Sequence, residues 1–104
     1  MPEQQPVRFI AHFTVDDPER YQAYERGFFP LLKEFGGRFV TYDDDVTVLE
    51  GAWAPGRTVI LEFDSRDQLM AWWESPAYRE LAEHRHAGTT THSVVVIGSP
   101  PPRS

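Results

Sequence analysis

The chain has 104 residues, the length of one domain and enough for one hydrophobic core without covalent staples. It has no cysteine, which excludes disulfides and thiolate metal sites. Its formal net charge of −6 argues against a general affinity for nucleic acid or anionic membrane, since both require a basic surface.

Residues 1–6 are polar with two prolines and are expected to form a loose N-terminal arm. Val7 to Thr14 alternates, with Val7, Phe9, Ala11 and Phe13 on one side and Arg8, Ile10, His12 and Thr14 on the other, which predicts a strand. Asp17-Pro18-Glu19 opens a helix, with Asp17 as cap, proline at the first helical position and an acid at the positive end of the dipole. Tyr21, Tyr24, Phe28, Leu31, Leu32 and Phe35 recur at helical spacing. Pro30 removes one backbone hydrogen bond and should kink or split this helix. Gly36-Gly37 stops it.

Arg38 to Tyr42 is a short strand, Asp43-Asp44-Asp45 a turn, and Val46 to Gly51 a second extended piece. Ala54-Pro55-Gly56 turns the chain into Arg57 to Phe63, which is apolar on both faces except for Thr58 and Glu62 and therefore belongs in the middle of a sheet. Ser65 followed by Gln68 fits a capping box, and Leu69, Trp72 and Trp73 follow on a helix. Ser75-Pro76 restarts the helix and turns Tyr78, Leu81 and Ala82 toward the core, with Gly88 as its end. His84, Arg85, His86 and Arg79, interspersed with Glu80 and Glu83, have the pattern of a solvated face. Thr90 to Ile97 is the last strand of a single domain over residues 7–98, and residues 99–104 a disordered tail.

This order predicts an α+β fold, a ferredoxin-like βαββαβ antiparallel sheet with two helices on one face. The first and third strands are expected to lie adjacent and parallel in the centre, and the last beside the first. Apolar residues on the uncovered sheet face call for a second copy, so a homodimer is expected. No apolar run approaches the ~20 residues of a membrane-spanning helix. The N-terminal MPEQQPVRF lacks a signal-peptide pattern, so no membrane association and a cytoplasmic location are expected.

Six sequence pieces carry a resemblance: DPERY at 17–21, GGRF at 36–39, LEGAW at 49–53, Arg57 ahead of its strand, LEF at 61–63 and WWESPAY at 72–78. In order and spacing the chain resembles the family called domain of unknown function 1330, within the dimeric α+β barrel superfamily. Asp64 stands where that family usually has proline, a change confined to a turn. The resemblance implies a ferredoxin-like dimer closing into a barrel, and no established reaction. The superfamily includes cofactor-free monooxygenases, isomerases and haem-degrading enzymes, so the fold permits chemistry without specifying it.

The candidate catalytic pair is His12 and Glu62, polar groups on strands otherwise made of Ile and Val. With strands about 4.8 Å apart, a His12–Glu62 hydrogen bond would give the orientation a general base needs. The competing reading is a structural ion pair in the dimer. His92, expected on one face with Val94 and Val96, joins this set. Arg57 is a candidate anion anchor beside Trp53, or the partner of Glu50 across the turn. Trp73 and Tyr78 are candidates to line an apolar ligand pocket, or else core. His84-x-His86 has the wrong spacing for one metal on a helix, and the Asp43–Asp45 run lacks the rest of a calcium loop, so neither metal nor cofactor is expected. The expected function is binding of a small organic ligand in a barrel cavity. The alternatives are a cofactor-independent enzyme of monooxygenase or isomerase type using the His–Glu pair, and a purely structural dimer.

Overall fold

In the computed structural model, which describes residues 5–99, β1 (Val7–Val15) leads through α1 (Pro18–Glu34) to β2 (Arg38–Asp43). The chain then forms β3 (Arg57–Phe63), α2 (Arg66–Trp73), α3 (Pro76–Gly88) and β4 (Thr89–Ile97). Most of the expected N-terminal arm and C-terminal tail lies outside the described residues. The sheet order is β2-β3-β1-β4, and every neighbouring pair is antiparallel. The expected parallel pairing of β1 with β3 is therefore wrong. The α1 crossover carries the chain from β1 to a strand of the same direction, β2, and leaves a gap between them. β3 returns into that gap in the opposite sense.

Asp17 caps α1 by accepting from the amides of Glu19 and Arg20. Pro30 neither breaks nor divides the helix. Gly36 ends it at φ +77°, the left-handed region that glycine enters without a Cβ penalty. The amides of Gly36 and Gly37 bond back to the carbonyls of Lys33 and Leu32. Ser65 caps α2 through the Gln68 amide, but the Gln68 side chain does not complete the box. It donates instead to the Phe35 carbonyl at 2.7 Å, tying α2 to the end of α1. Ser75 caps α3 through the Tyr78 amide.

Tyr21, Tyr24, Phe28 and Leu32 from α1, Leu69 and Trp72 from α2, and Tyr78 and Ala82 from α3 bury against one face of the sheet. That face is built from Val7, Phe9, Ala11, Phe13, Val59, Leu61 and Phe63. Each such large side chain contributes about 1.5–3 kcal/mol of transfer free energy.

Val46 to Gly51, expected as an extended piece, forms no strand and adds none to the β2-β3-β1-β4 sheet. Residues 44–56 are instead a loop. A bulge in β4 between the partners of His12 and Phe13 shifts the register. His12 faces Ser93, whereas Phe13 faces Thr91, so His92 is the extra residue. Val94 and Val96 consequently pack against the core, and His92 shares the outer face with His12. The expectation that His92 shares a face with the two valines fails because of that one residue.

A candidate ligand cavity between the helices and the sheet

A cavity of about 280 Å³ lies between the helix layer and the sheet. Its floor is Phe9, Ala11, Phe13 and Val59; Tyr21, Tyr24, Glu25, Phe28 and Phe29 of α1 and Tyr78 and Arg85 of α3 form the rest with Phe39, Tyr42 and Arg57. The register explains the β2 contribution: Phe39 pairs with Leu61 and Tyr42 with Val59, on the helix-facing side. Concave, mainly aromatic walls with a few convergent polar groups are the usual form of a small-molecule site.

Two polar groups in this wall are internally satisfied. The Tyr24 and Tyr78 hydroxyls bond to each other at 2.8 Å. Burial, reinforced by the neighbouring Tyr78, holds the Tyr24 hydroxyl well above its ordinary pKa. It is a neutral hydrogen-bonding group at physiological pH, not a base. Arg57 makes a bidentate pair with Asp44, Nε to Oδ1 at 2.7 Å and Nη2 to Oδ2 at 3.0 Å, and reaches Glu25 at 3.8 Å. Its guanidinium lies 4.6 Å from the Tyr42 ring centroid and 5.5 Å from that of Tyr21. The hydrogen bonds to Asp44 raise the Arg57 pKa further and lower that of Asp44. Burial raises Tyr21, with the Arg57 charge opposing it. The expected Arg57–Glu50 pair is not formed: the acid that meets Arg57 across the loop is Asp44.

Arg85 differs. It is only 5% exposed, although its sequence neighbours give it the look of a solvated helix position. Nη1 donates to Thr91 Oγ1 at 3.2 Å and Nη2 to His86 Nε2 at 3.1 Å, while Nε has no partner. The guanidinium carbon is 5.9 Å from the Trp73 ring centroid. Burial, followed by the Arg85 charge, lowers the His86 pKa, which fits a neutral imidazole accepting from Arg85.

His12 and Glu62 are not brought together within the chain. Register sets His12 opposite Thr58 and Glu62 opposite Arg8. Four residues of strand separate the two positions, about 13 Å. Glu62 instead bridges Arg38 at 2.9 Å and Arg8 at 3.3 Å across the outer face, and Arg38 first, then Arg8, lowers its pKa. His12 Nε2 lies 2.9 Å from the Ala54 carbonyl, to which it donates. Its ring stacks on Trp53 at 4.1 Å between centroids, with an 8° interplanar angle. His92 Nε2 lies 2.7 Å from Thr14 Oγ1, whose own proton goes to the Pro55 carbonyl. His12, Trp53 and His92 thus pin the 44–56 loop to the outer face.

The sequence candidates therefore divide between two sides of the sheet. Arg57 and Tyr78 line the cavity. Trp73 lines a smaller one of about 110 Å³ that also touches Tyr78 and Arg85. His12, Trp53, His92 and Glu62 lie on the other face. Sequence reasoning missed Tyr42, Glu25 and Arg85 as site residues, and Tyr21 and Tyr24 show in the sequence only as members of a helical repeat. A signal for Arg85 existed: with Tyr78 and Ala82 it continues one buried stripe at helical spacing. Among the described residues, no group of three His, Asp or Glu is placed to hold a metal ion. No helix there is long and apolar enough to cross a membrane.

A family model described as "Domain of unknown function (DUF1330)" matches residues 6–99. No curated protein matches the chain. Among solved structures, RPA0582 from Rhodopseudomonas palustris, a protein of unknown function, is 20% identical, with 98% of this chain and 86% of that one covered and a TM-score of 0.74. A dimeric ferredoxin-like protein of unknown function from Bacteroides fragilis is 14% identical, covering 94% and 100%, with a TM-score of 0.64. SnoaB from Streptomyces nogalater, a cofactor-independent oxygenase, is 19% identical, covering 94% and 96%, with a TM-score of 0.57. At these identities the likeness is one of fold, a ferredoxin-like α+β sandwich.

Proposed function

The chain belongs to the DUF1330 family, and from that premise we propose that it binds a small organic molecule in the cavity between α1, α3 and the sheet. The observation that carries this is the cavity itself, about 280 Å³ of mostly aromatic wall with Arg57, Tyr21 and the Tyr24–Tyr78 pair at its lining. The ligand fits on the helix side of the sheet, not in a barrel between two sheets. The outer face is left for a second copy, which makes the functional unit a homodimer. Binding rather than proton abstraction is favoured because Tyr24 is held neutral and Arg57 is occupied by Asp44. A general-base mechanism through His12 and Glu62 has no support from the register.

Calorimetric titration with 2-naphthol, a neutral bicyclic probe of suitable size, tests the reading. Binding in the micromolar range is expected, and Ala11→Leu, which places extra carbons on the cavity floor, should abolish it while the circular dichroism spectrum stays unchanged. Failure of both 2-naphthol and other bicyclic aromatics to bind, or binding indifferent to Ala11→Leu, sinks the proposal.

A further inference from the structure

We propose that the natural ligand of this cavity carries a carboxylate on an aromatic body, and that Arg85 is the residue that holds the carboxylate. The inference rests on the cavity reading above and adds the ligand's chemical class. A guanidinium taken out of water is ordinarily matched by an acid, because its charge is costly to bury alone. Arg85 is buried, yet among the described residues it belongs to no ion pair. Its hydrogen bonds go to a threonine hydroxyl and a neutral imidazole, neither of which balances a charge. Among the described residues, four buried side-chain polar atoms lack partners: Thr58 Oγ1, Trp72 Nε1, His84 Nδ1 and Arg85 Nε. Only Arg85 among those residues lines the cavity.

The other cation of the wall does not compete for an anion. Arg57 is already shared by Asp44 and Glu25, so that cluster carries one positive and two negative groups. An acidic ligand head would be repelled there and attracted to Arg85. One unmatched guanidinium among aromatic rings suits a monoanion. A phosphate dianion would call for a second cation, and the other cation of this wall, Arg57, is already engaged by Asp44 and Glu25. A carboxylate in the cavity would meet the Arg85 guanidinium, whose Nε–H has no partner within the chain, with the rings of Phe9, Phe28 and Tyr78 receiving the aromatic body.

The test compares 2-naphthoate with 2-naphthamide, equal in shape and different in charge, by calorimetry on the wild-type protein at neutral pH. The expected result is at least tenfold tighter binding of the carboxylate. Equal affinities overturn the inference and leave the cavity reading standing; binding of neither probe, nor of 2-naphthol, overturns both. Arg85→Gln should erase the preference, and a folded Arg85→Gln that keeps it overturns the assignment to Arg85. Because that variant removes a buried group, nitrogen-15 spectra of the wild-type arginine Nε–H signals provide a second readout. Titration with 2-naphthoate should move the Arg85 signal and leave Arg57 in place, and the reverse pattern overturns the assignment.

Discussion

Tyr24 and Tyr78 meet hydroxyl to hydroxyl at 2.8 Å, joining α1 to α3 inside the helix layer. Each is the other's only side-chain partner among the described residues, so replacing one by phenylalanine strands the other's hydroxyl in an apolar site. Either Tyr24→Phe or Tyr78→Phe should cost about 1–3 kcal/mol, the usual penalty of an unsatisfied buried group. The double variant should cost less than the sum, since no orphan remains. Urea denaturation of the four proteins measures the coupling, and strict additivity would mean that the hydroxyls do not depend on one another.

The same burial makes stability sensitive to alkali. An unfolded tyrosine loses its proton near pH 10, whereas folding holds the Tyr24 proton to higher pH, with Tyr21 raised in the same direction. Above about pH 10 the unfolded chain therefore binds fewer protons than the folded one, and stability declines with rising pH. Below that it is unaffected by these groups. Melting temperatures between pH 8 and 11.5 should be level at first and then fall, with a shallower fall in Tyr24→Phe. A level profile throughout would contradict the assigned environment of Tyr24.

His12 takes its environment from Trp53 and Ala54, not from Glu62. At neutral pH, Glu62→Gln should leave the His12 ring resonances in place, while Trp53→Ala should shift them by removing the stacked ring current. A large shift in Glu62→Gln with none in Trp53→Ala would restore the acid–histidine pair.

Strand and helix positions were legible because each rests on a local rule. Asp17, Ser65, Ser75 and Gly36 mark termini by their own chemistry, and the alternation of Val7 to Phe13 defines the core face. The site was less legible because it depends on register and loop path. One bulged residue set Val94 and Val96 on the face opposite to His92. Four residues of strand separated two polar groups that look like a pair when only strand adjacency is considered. The 44–56 loop has no periodicity to betray that it folds back over His12. Arg85 was hidden for another reason: charge on a helix normally marks the wet side, and here the buried stripe overrides it.

The loop's return depends on Gly56. Its φ is +150°, and a Cβ there would sit 2.4 Å from the Phe13 carbonyl oxygen, a backbone atom that cannot swing aside. Gly56→Ala should therefore lower stability by about 1–3 kcal/mol, the scale of enforced backbone strain. It should also loosen the neighbouring contact between Thr14 and the Pro55 carbonyl. Thermal unfolding gives the first quantity and amide exchange in residues 53–57 the second. An unperturbed Gly56→Ala would mean that the loop does not approach β1 this closely.

The outer sheet face bears on assembly. Val95 and Ile97 of β4 are 44% and 53% exposed, and register places Val95 beside Ile10, itself opposite Ile60 of β3. This aliphatic strip is flanked by the Arg8–Glu62–Arg38 ion pairs, a polar border around an apolar centre. In the proposed homodimer, a second copy of the same face would meet it with like chemistry in a two-fold arrangement. Val95→Asp sets two carboxylates into that centre while leaving the helix-side core untouched. Sedimentation at micromolar concentration should give a dimer for the wild type and a monomer for Val95→Asp, with the far-ultraviolet spectrum unchanged. A monomeric wild type, or a Val95→Asp protein that remains dimeric, would remove this face from the assembly.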